Sequence, residues 1–458
     1  MHKLADGSRM MEQAGPAAQA GAPDHPRDDL PWPARRQAVF ALVVLMIGYI
    51  VSFIDRQILS LMVQPIKADL GVSDFAMSLL QGFAFALFFC VLGIPFGRLA
   101  DRRSRKHIIA AGVLLWSLMT IACGFAGTYA MLFVARMGVG VGEAALAPAG
   151  YSLLADMYRK ERLVRAMSIF TLGGMIGGGL AFLVGGQVID YATAAEASPL
   201  GIEGLRPWQF SFIVVGLPGL LVALLFLLVH EPARRGAARG PQPRFGEALA
   251  YLWGRRADYA PVYLAATFMA VLSYGGLTWF PTHLIRAYGL GAGETGAILG
   301  TIHIVAPVLG ATLATVLTER FTARGLHDAP LRTIGLIAPL AGLFFMAPLM
   351  PTKGLTIAMW FLAVLFSNAY YGVSVATLQT LTPNNLRATN SAMLTLVVSL
   401  GGLAIGAALI GGLADALFLG DPRGIGKALA LVCGVSAAAA TVVARRGRAR
   451  IGRLLETA

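Results

Sequence analysis

Residues 96–106 read FGRLADRRSRK, a basic island in which Arg98, Arg102, Arg103, Arg105 and Lys106 crowd around a single acid, Asp101. Apolar runs flank it on both sides, at 75–97 and 107–127. Each run is close to the roughly 20 residues that a helix needs to cross hydrocarbon. The island therefore reads as a tight loop between two membrane helices, and the same alternation repeats outward from it. Apolar runs fall at 38–66, 75–97, 107–127, 131–156, 166–190, 209–230, 260–282, 294–317, 332–350, 355–379, 389–413 and 425–444. With 57% hydrophobic and 13% charged residues, the composition is far from that of an average soluble protein. An all-α membrane protein with twelve transmembrane helices is predicted.

The distribution of charge sets the orientation. If the N-terminus is cytoplasmic, 29 of the 37 Lys and Arg fall on the cytoplasmic side and 6 on the other, leaving Arg56 and Arg136 within spans. That asymmetry is the positive-inside pattern, so the net charge of +13 reads as topology and contact with anionic headgroups, not as a nucleic-acid surface. The segment before span 1, residues 1–37, is polar and rich in Ala, Pro and Gly. It reads as a disordered cytoplasmic tail, since the first apolar run is too long for a cleavable signal. Cys90, Cys123 and Cys433 all lie inside apolar spans without framework spacing, which argues against disulfides or a metal cluster.

The long break between spans, residues 231–259, is rich in Arg, Pro and Gly, with room for a short amphipathic helix at 245–253. It divides the chain into an N-terminal six-helix bundle (38–230), a cytoplasmic central loop (231–259), a C-terminal six-helix bundle (260–444) and a basic cytoplasmic tail (445–458). Internal matches agree with a duplication. LGVSD (70–74) precedes span 2 as LGAGE (290–294) precedes span 8, those spans end in LADR and LTER, and RAMS (165–168) enters span 5 as RATNS (387–391) enters span 11. Pseudo-symmetric halves are the architecture of alternating-access transporters, with a site near the midplane between them.

Gly97, Leu99, Ala100, Asp101, Arg102, Arg105 and Lys106 resemble the loop signature of the major facilitator superfamily, with Ser104 where that family usually has Gly. The resemblance implies the major facilitator fold. It also implies a cytoplasmic gate motif of Gly97, Asp101, Arg102 and Arg105, in which the Asp pairs with the facing half. RMGVGVGEA (136–144) in span 4 resembles a second pattern of that superfamily.

Ionisable residues inside a membrane are costly and face a cavity or a partner. Arg136 and Glu143 are seven residues apart, close to two helical turns, and so share a face at a separation of about 10 Å. A structural salt bridge to a neighbouring span and a functional role are both compatible with that spacing. Asp55 and Arg56 are adjacent, point roughly 100° apart and cannot address one partner. Either they lie within the membrane or they mark its outer interface. If they lie within it, Asp55 is a candidate proton switch whose protonation would release an arginine. Span 5 carries GGMIGGGLAFLVGG (173–186), read as a close-packing surface. Candidate substrate-cavity residues are Tyr274 and Trp279 in span 7, His303 in span 8, and Asn368, Tyr370 and Tyr371 in span 10. His303 suits a proton relay or a hydrogen bond between helices.

Residues 54–102 and 206–220 further resemble the Spinster family, and the chain is similar to a bacterial member of it. That resemblance implies a secondary transporter of amphipathic lipids, of lysophospholipid or sphingosine-phosphate type, with proton coupling in some members. It matches Asp55, Arg56, Arg136 and Glu143 to the family's intramembrane charges. The alternative within the superfamily is a proton-coupled small organic acid symporter or a multidrug exporter. An ATP-driven pump is disfavoured because GDPRGIGKA (420–428) lacks phosphate-loop spacing, and a metalloenzyme because HEPAR (230–234) has no second histidine. The expected partners are a small amphipathic substrate, protons and membrane lipid. No nucleic acid, cofactor, metal or enzymatic activity is expected, and the chain is expected to be a monomer in the bacterial inner membrane with both termini cytoplasmic.

Overall fold

The computed structural model describes residues 31–194, 204–235, 245–383 and 386–456. Twelve helices among them are long and apolar enough to cross a membrane: Arg35–Leu61, Asp74–Arg102, Arg105–Cys123, Tyr129–Met157, Glu161–Ala194, Pro207–Leu228, Arg256–Tyr288, Ala292–Ala323, Ala329–Leu349, Lys353–Leu381, Thr389–Leu417 and Gly424–Glu456. They are numbered spans 1 to 12. Spans 1–6 pack as one bundle and spans 7–12 as another. Most of the expected tail, residues 1–30, lies outside the described residues, as do 236–244 of the central loop. A short helix follows at Phe245–Gly254.

Span ends differ from the apolar runs where local chemistry intervenes. Span 1 stops at Leu61 and the chain continues, after Met62, in a separate helix Val63–Leu70 that closes at left-handed Gly71. Apolarity therefore ran past the helix break. Span 4 is interrupted between Glu143 and Leu146, at the end of the Gly-rich RMGVGVGEA stretch. Span 12 runs unbroken through the arginines expected as a tail, because Arg448 pairs with Asp328 and Arg450 with Asp258 in neighbouring elements. These pairs also place the C-terminal end of span 12 beside the start of spans 7 and 9. We call this the near end and the opposite one the far end.

The halves meet along two seams, span 5 against span 8 and span 2 against span 11. Span 2 corresponds to span 8 and span 5 to span 11 in the internal repeat, so the two seams are one interface used twice. Small residues set the approach. A side chain at Gly179 would strike the Gly300 carbonyl, and one at Gly186 the Ala292 carbonyl; in the other seam, Gly82 lies over the Leu403 carbonyl. Both helices of the second seam loosen into π-helical turns, at Leu79–Phe83 and Leu400–Gly406, where they touch. Such turns widen a helix locally and bring its backbone against a neighbour.

At the far end polar ties clamp the halves. Arg286 of span 7 grips Asp74 of span 2 with both terminal nitrogens at 2.6 Å, and Lys67 bonds the same carboxylate. Asp415 at the end of span 11 accepts from the backbone N–H groups of Asp74 (3.1 Å) and Phe75 (2.7 Å). A carboxylate there satisfies orphan donors and meets the positive end of the helix dipole. The Gly293 amide of span 8 donates to Asp190 of span 5 at 3.0 Å. Removing the bidentate pair by Arg286→Gln is expected to weaken far-end closure by roughly 1.5–3 kcal/mol, the worth of hydrogen bonds to charged groups. A cysteine at Ser60, buried behind the clamp in a background free of native cysteines, should then react with an impermeant maleimide from the far side about tenfold faster or more.

Candidate functional site

Span 1 brings its two charges into the core of the N-terminal bundle. Asp55 is fully buried and Arg56 nearly so. The 100° step between them sends each to a different neighbour. Arg56 pairs with Glu143 of span 4 at 2.5 Å, and the same carboxylate oxygen accepts from Ser52, one turn earlier on span 1, at 2.6 Å. The guanidinium also lies over three rings, Phe85 at 4.3 Å, Phe53 at 4.9 Å and Phe89 at 5.1 Å from their centroids. Ion pairing and ring faces together hold this cation where water cannot.

Asp55 has a thinner set of contacts. Its Oδ2 accepts from Thr120 of span 3 at 3.3 Å and its Oδ1 has no partner. The Arg136 guanidinium donates to the backbone carbonyl of Asp55 at 3.1 Å, leaving its Nε and second terminal nitrogen unpaired. Asp55 and Arg136 therefore form no ion pair in this state. Nor do Arg136 and Glu143, since a helix holds them two turns apart and Glu143 must find its partner on another span. Each acid keeps one oxygen without a partner, Oδ1 of Asp55 and Oε1 of Glu143, but the other oxygen of Glu143 is locked in an ion pair while that of Asp55 has one weak contact.

Beyond Arg56 toward the opposite bundle stand Tyr49 of span 1 and Tyr274 of span 7, both within its electrostatic reach. Tyr49 stacks on Phe170 at 4.9 Å, Phe170 meets Tyr151 edge-on, and Tyr371 of span 10 adds another phenol nearby. Tyr274 thus adjoins the charge network across the halves, Tyr371 and Tyr370 lie near Tyr274, and Asn368 accepts from Ser273 of span 7 at 3.3 Å. Trp279 is buried in the C-terminal bundle with its indole N–H on the Ala407 carbonyl, away from this group. His303 sits at the seam between spans 5 and 8, bonded to the Leu299 carbonyl and beside Phe182.

The expected loop 96–106 is mostly helix, with span 2 running to Arg102 and span 3 resuming at Arg105, and Arg105 is its buried cation. It bonds Asp156, Glu231 at 2.8 Å and the carbonyls of Ser152 and Pro232, all from its own half. Asp101 and Arg102 are exposed and enter no ion pair among the described residues; Gly97 packs near Pro148 of span 4. Burial opposes ionisation of Glu231, but the Lys106 amide, the Arg105 guanidinium and the Ser104 hydroxyl outweigh it and hold the carboxyl below its ordinary range.

Sequence reasoning missed Ser52, Thr120 and the three-ring cage, because a lone hydroxyl or Phe in an apolar run carries no signal. The Asp74–Arg286–Asp415 clamp was legible in principle as three ionisable residues at span ends. No group of three His, Cys, Asp or Glu among the described residues is placed to hold a metal.

The sequence model of the Major Facilitator Superfamily matches residues 45–408. The chain is similar to an MFS-type efflux pump of Mycolicibacterium smegmatis, at 27% identity over 87% of this chain and 89% of that one. It is also similar to protein spinster homolog 3 of Danio rerio, at 27% identity over 86% and 81% respectively. Among solved structures, it matches a bacterial homolog to the human lysosomal transporter Spinster in an inward-facing, unoccupied conformation. The TM-score there is 0.76, with 28% identity over 93% of this chain and 98% of that one.

The two buried acids are expected to respond oppositely to neutralisation. Glu143→Gln strips the charge that holds Arg56 and should lower stability by roughly 3 kcal/mol, the scale for breaking a buried pair. Asp55→Asn removes a carboxylate with one weak contact and should leave thermal unfolding in detergent unchanged or raised. For Glu231, a lowered folded-state pKa contributes stability that is present above the unfolded value and lost as pH falls through the folded one. The difference in Tm between wild type and Glu231→Gln, present at about pH 7, should therefore close as the pH drops below the ordinary carboxylate range.

Proposed function

The chain belongs to the Major Facilitator Superfamily, and from that premise we propose a proton-coupled secondary transporter, working by alternating access, whose substrates are amphipathic lipids of lysophospholipid or sphingosine-phosphate type. The observation that carries the reading is the pairing of a loosely held buried acid, Asp55, with a locked ion pair, Arg56–Glu143, immediately beside a group of tyrosines between the halves. A transporter needs an ionisable group whose partners change with conformation, because only a differential interaction couples proton binding to the change of access. Asp55, with one weak hydrogen bond on its carboxylate, suits that role better than Glu143, whose Oε2 is committed to both Arg56 and Ser52. Phenols and the Phe-caged guanidinium suit a ligand with one polar headgroup and an apolar body. The likeness to Spinster proteins supports the lipid class.

In this reading the termini-bearing near end is cytoplasmic, the membrane is the bacterial inner membrane, and the far-end clamp closes the outer side. The chain works as a monomer, since each half supplies its share of the site. The similarity to an efflux pump favours a second reading, export of apolar drugs by the same proton-coupled cycle.

The test is uptake of a labelled lysophospholipid into proteoliposomes with and without an imposed pH gradient. Wild type is expected to give gradient-dependent flux and Asp55→Asn to lose the gradient dependence. Flux that ignores the gradient in both proteins overturns the proton-coupled reading, and gradient-driven movement of a lipophilic dye with no movement of lysolipid replaces the lipid substrate with the drug.

A further inference from the structure

Between spans 1 and 5 at the near end lies a cleft of about 540 Å³ that the charge network does not use. Its floor is Val39, Val43 and Met46 of span 1 with Ile169 of span 5. Val39 and Val43 are 45% and 41% exposed, so this face looks outward from the bundle. Its rim is Arg35, Arg162 and Arg165, all exposed and none in an ion pair among the described residues. Among the described residues close by in sequence, Glu161 is exposed and Asp156 is committed to Arg105, so the rim keeps a net positive charge. Tyr158 completes the rim with a hydroxyl that is buried and has no hydrogen-bond partner.

The order along both helices is the same. Arg35 precedes Val39, Val43 and Met46 by one, two and three turns of span 1, and Arg162 and Arg165 precede Ile169 on one face of span 5. Cations stand at the membrane surface and the apolar stripe runs inward from them. That is the profile of a phospholipid, phosphate outermost and acyl chain below. Guanidinium groups take phosphate oxygens through paired N–H donors, and a free phenol adds a further donor. Basic pockets between transmembrane helices collect anionic headgroups for this reason. A free phosphate would leave the apolar floor uncovered, and a zwitterionic lipid would bring its own cation against three arginines.

We propose that this cleft is a binding site for an anionic diacyl phospholipid of the leaflet at the near end, its phosphate held by Arg35, Arg162 and Arg165 and one acyl chain laid along Val39, Val43, Met46 and Ile169. The site is separate from the tyrosine-lined interior and rests only on the membrane-spanning fold, so it stands whether or not the transported substrate is a lipid.

The test is native mass spectrometry of the purified full chain with phosphatidylglycerol or phosphatidylcholine of matched acyl chains. Wild type is expected to retain phosphatidylglycerol in preference, and the triple variant Arg35→Gln/Arg162→Gln/Arg165→Gln to retain about tenfold less, as loss of charge-assisted phosphate contacts requires. A control with Arg320→Gln/Arg324→Gln/Arg446→Gln removes three exposed near-end cations elsewhere and should retain the lipid as wild type does. An equal loss in that control overturns the proposal in favour of general surface charge. Displacement of the lipid by glycerol 3-phosphate at equal concentration overturns it in favour of a headgroup-only anion site. Val43→Trp fills the floor with every charge intact; reduced retention supports the acyl-chain contact should the triple variant fail to fold, and unchanged retention contradicts it.

Discussion

Pairing a buried arginine is the constraint on which the interior of this molecule depends. Arg56 sits in the apolar core of a membrane bundle, where an uncompensated charge is prohibitive. Glu143 neutralises it, Ser52 takes a further lone pair of the same oxygen, and three phenylalanine faces replace its hydration. Because Glu143 comes from span 4 and Phe85 and Phe89 from span 2, the pair also fixes how spans 1, 2 and 4 stand around the interior. Once Glu143 is committed, Asp55 is left with Thr120 alone on its carboxylate, and Arg136 turns to a backbone carbonyl. One acid holds the ion pair, and the other carries a single weak hydrogen bond on its carboxylate.

Packing between the halves obeys a different rule. The seams are made of backbone against backbone, with glycines at the points of closest approach and no room for a methyl group. Such surfaces slide and rock without breaking side-chain interdigitation, whereas the far-end ties at Asp74, Arg286 and Asp415 must be broken in one step. Close backbone seams and a directional clamp thus act at the same interface between the halves. In this conformation the clamp is made, while Asp101 and Arg102 at the near end of span 2 stand in no ion pair among the described residues.

Much of the fold was legible in the sequence because membrane helices announce themselves by length and apolarity, and all twelve expected runs correspond to helices. The duplication was legible in short matches such as LADR and LTER, and the two seams reflect it. Helix ends were less legible. Hydropathy carried span 1 past the break at Met62 and stopped span 12 short of the arginines that two aspartates hold in helical register. For the site, the angular step between Asp55 and Arg56 forbade a common partner, yet nothing in spacing could show that Arg56 would meet Glu143 while the Asp55 carboxylate would meet only Thr120. Trp279, selected as an amphipathic residue in a polar stretch, faces span 11 instead, because its N–H found a carbonyl in its own bundle. Partner choice is a property of packing between distant segments, which a linear pattern does not encode.

The division of labour between the two acids is the central claim, and infrared difference spectroscopy of the reconstituted protein across a pH step tests it most directly. A carboxylic-acid carbonyl band that appears with protonation, vanishes in Asp55→Asn and persists in Glu143→Gln is the predicted result. A band that survives Asp55→Asn and is lost in Glu143→Gln would contradict the account, since the acid locked to Arg56 would then be the one that takes the proton.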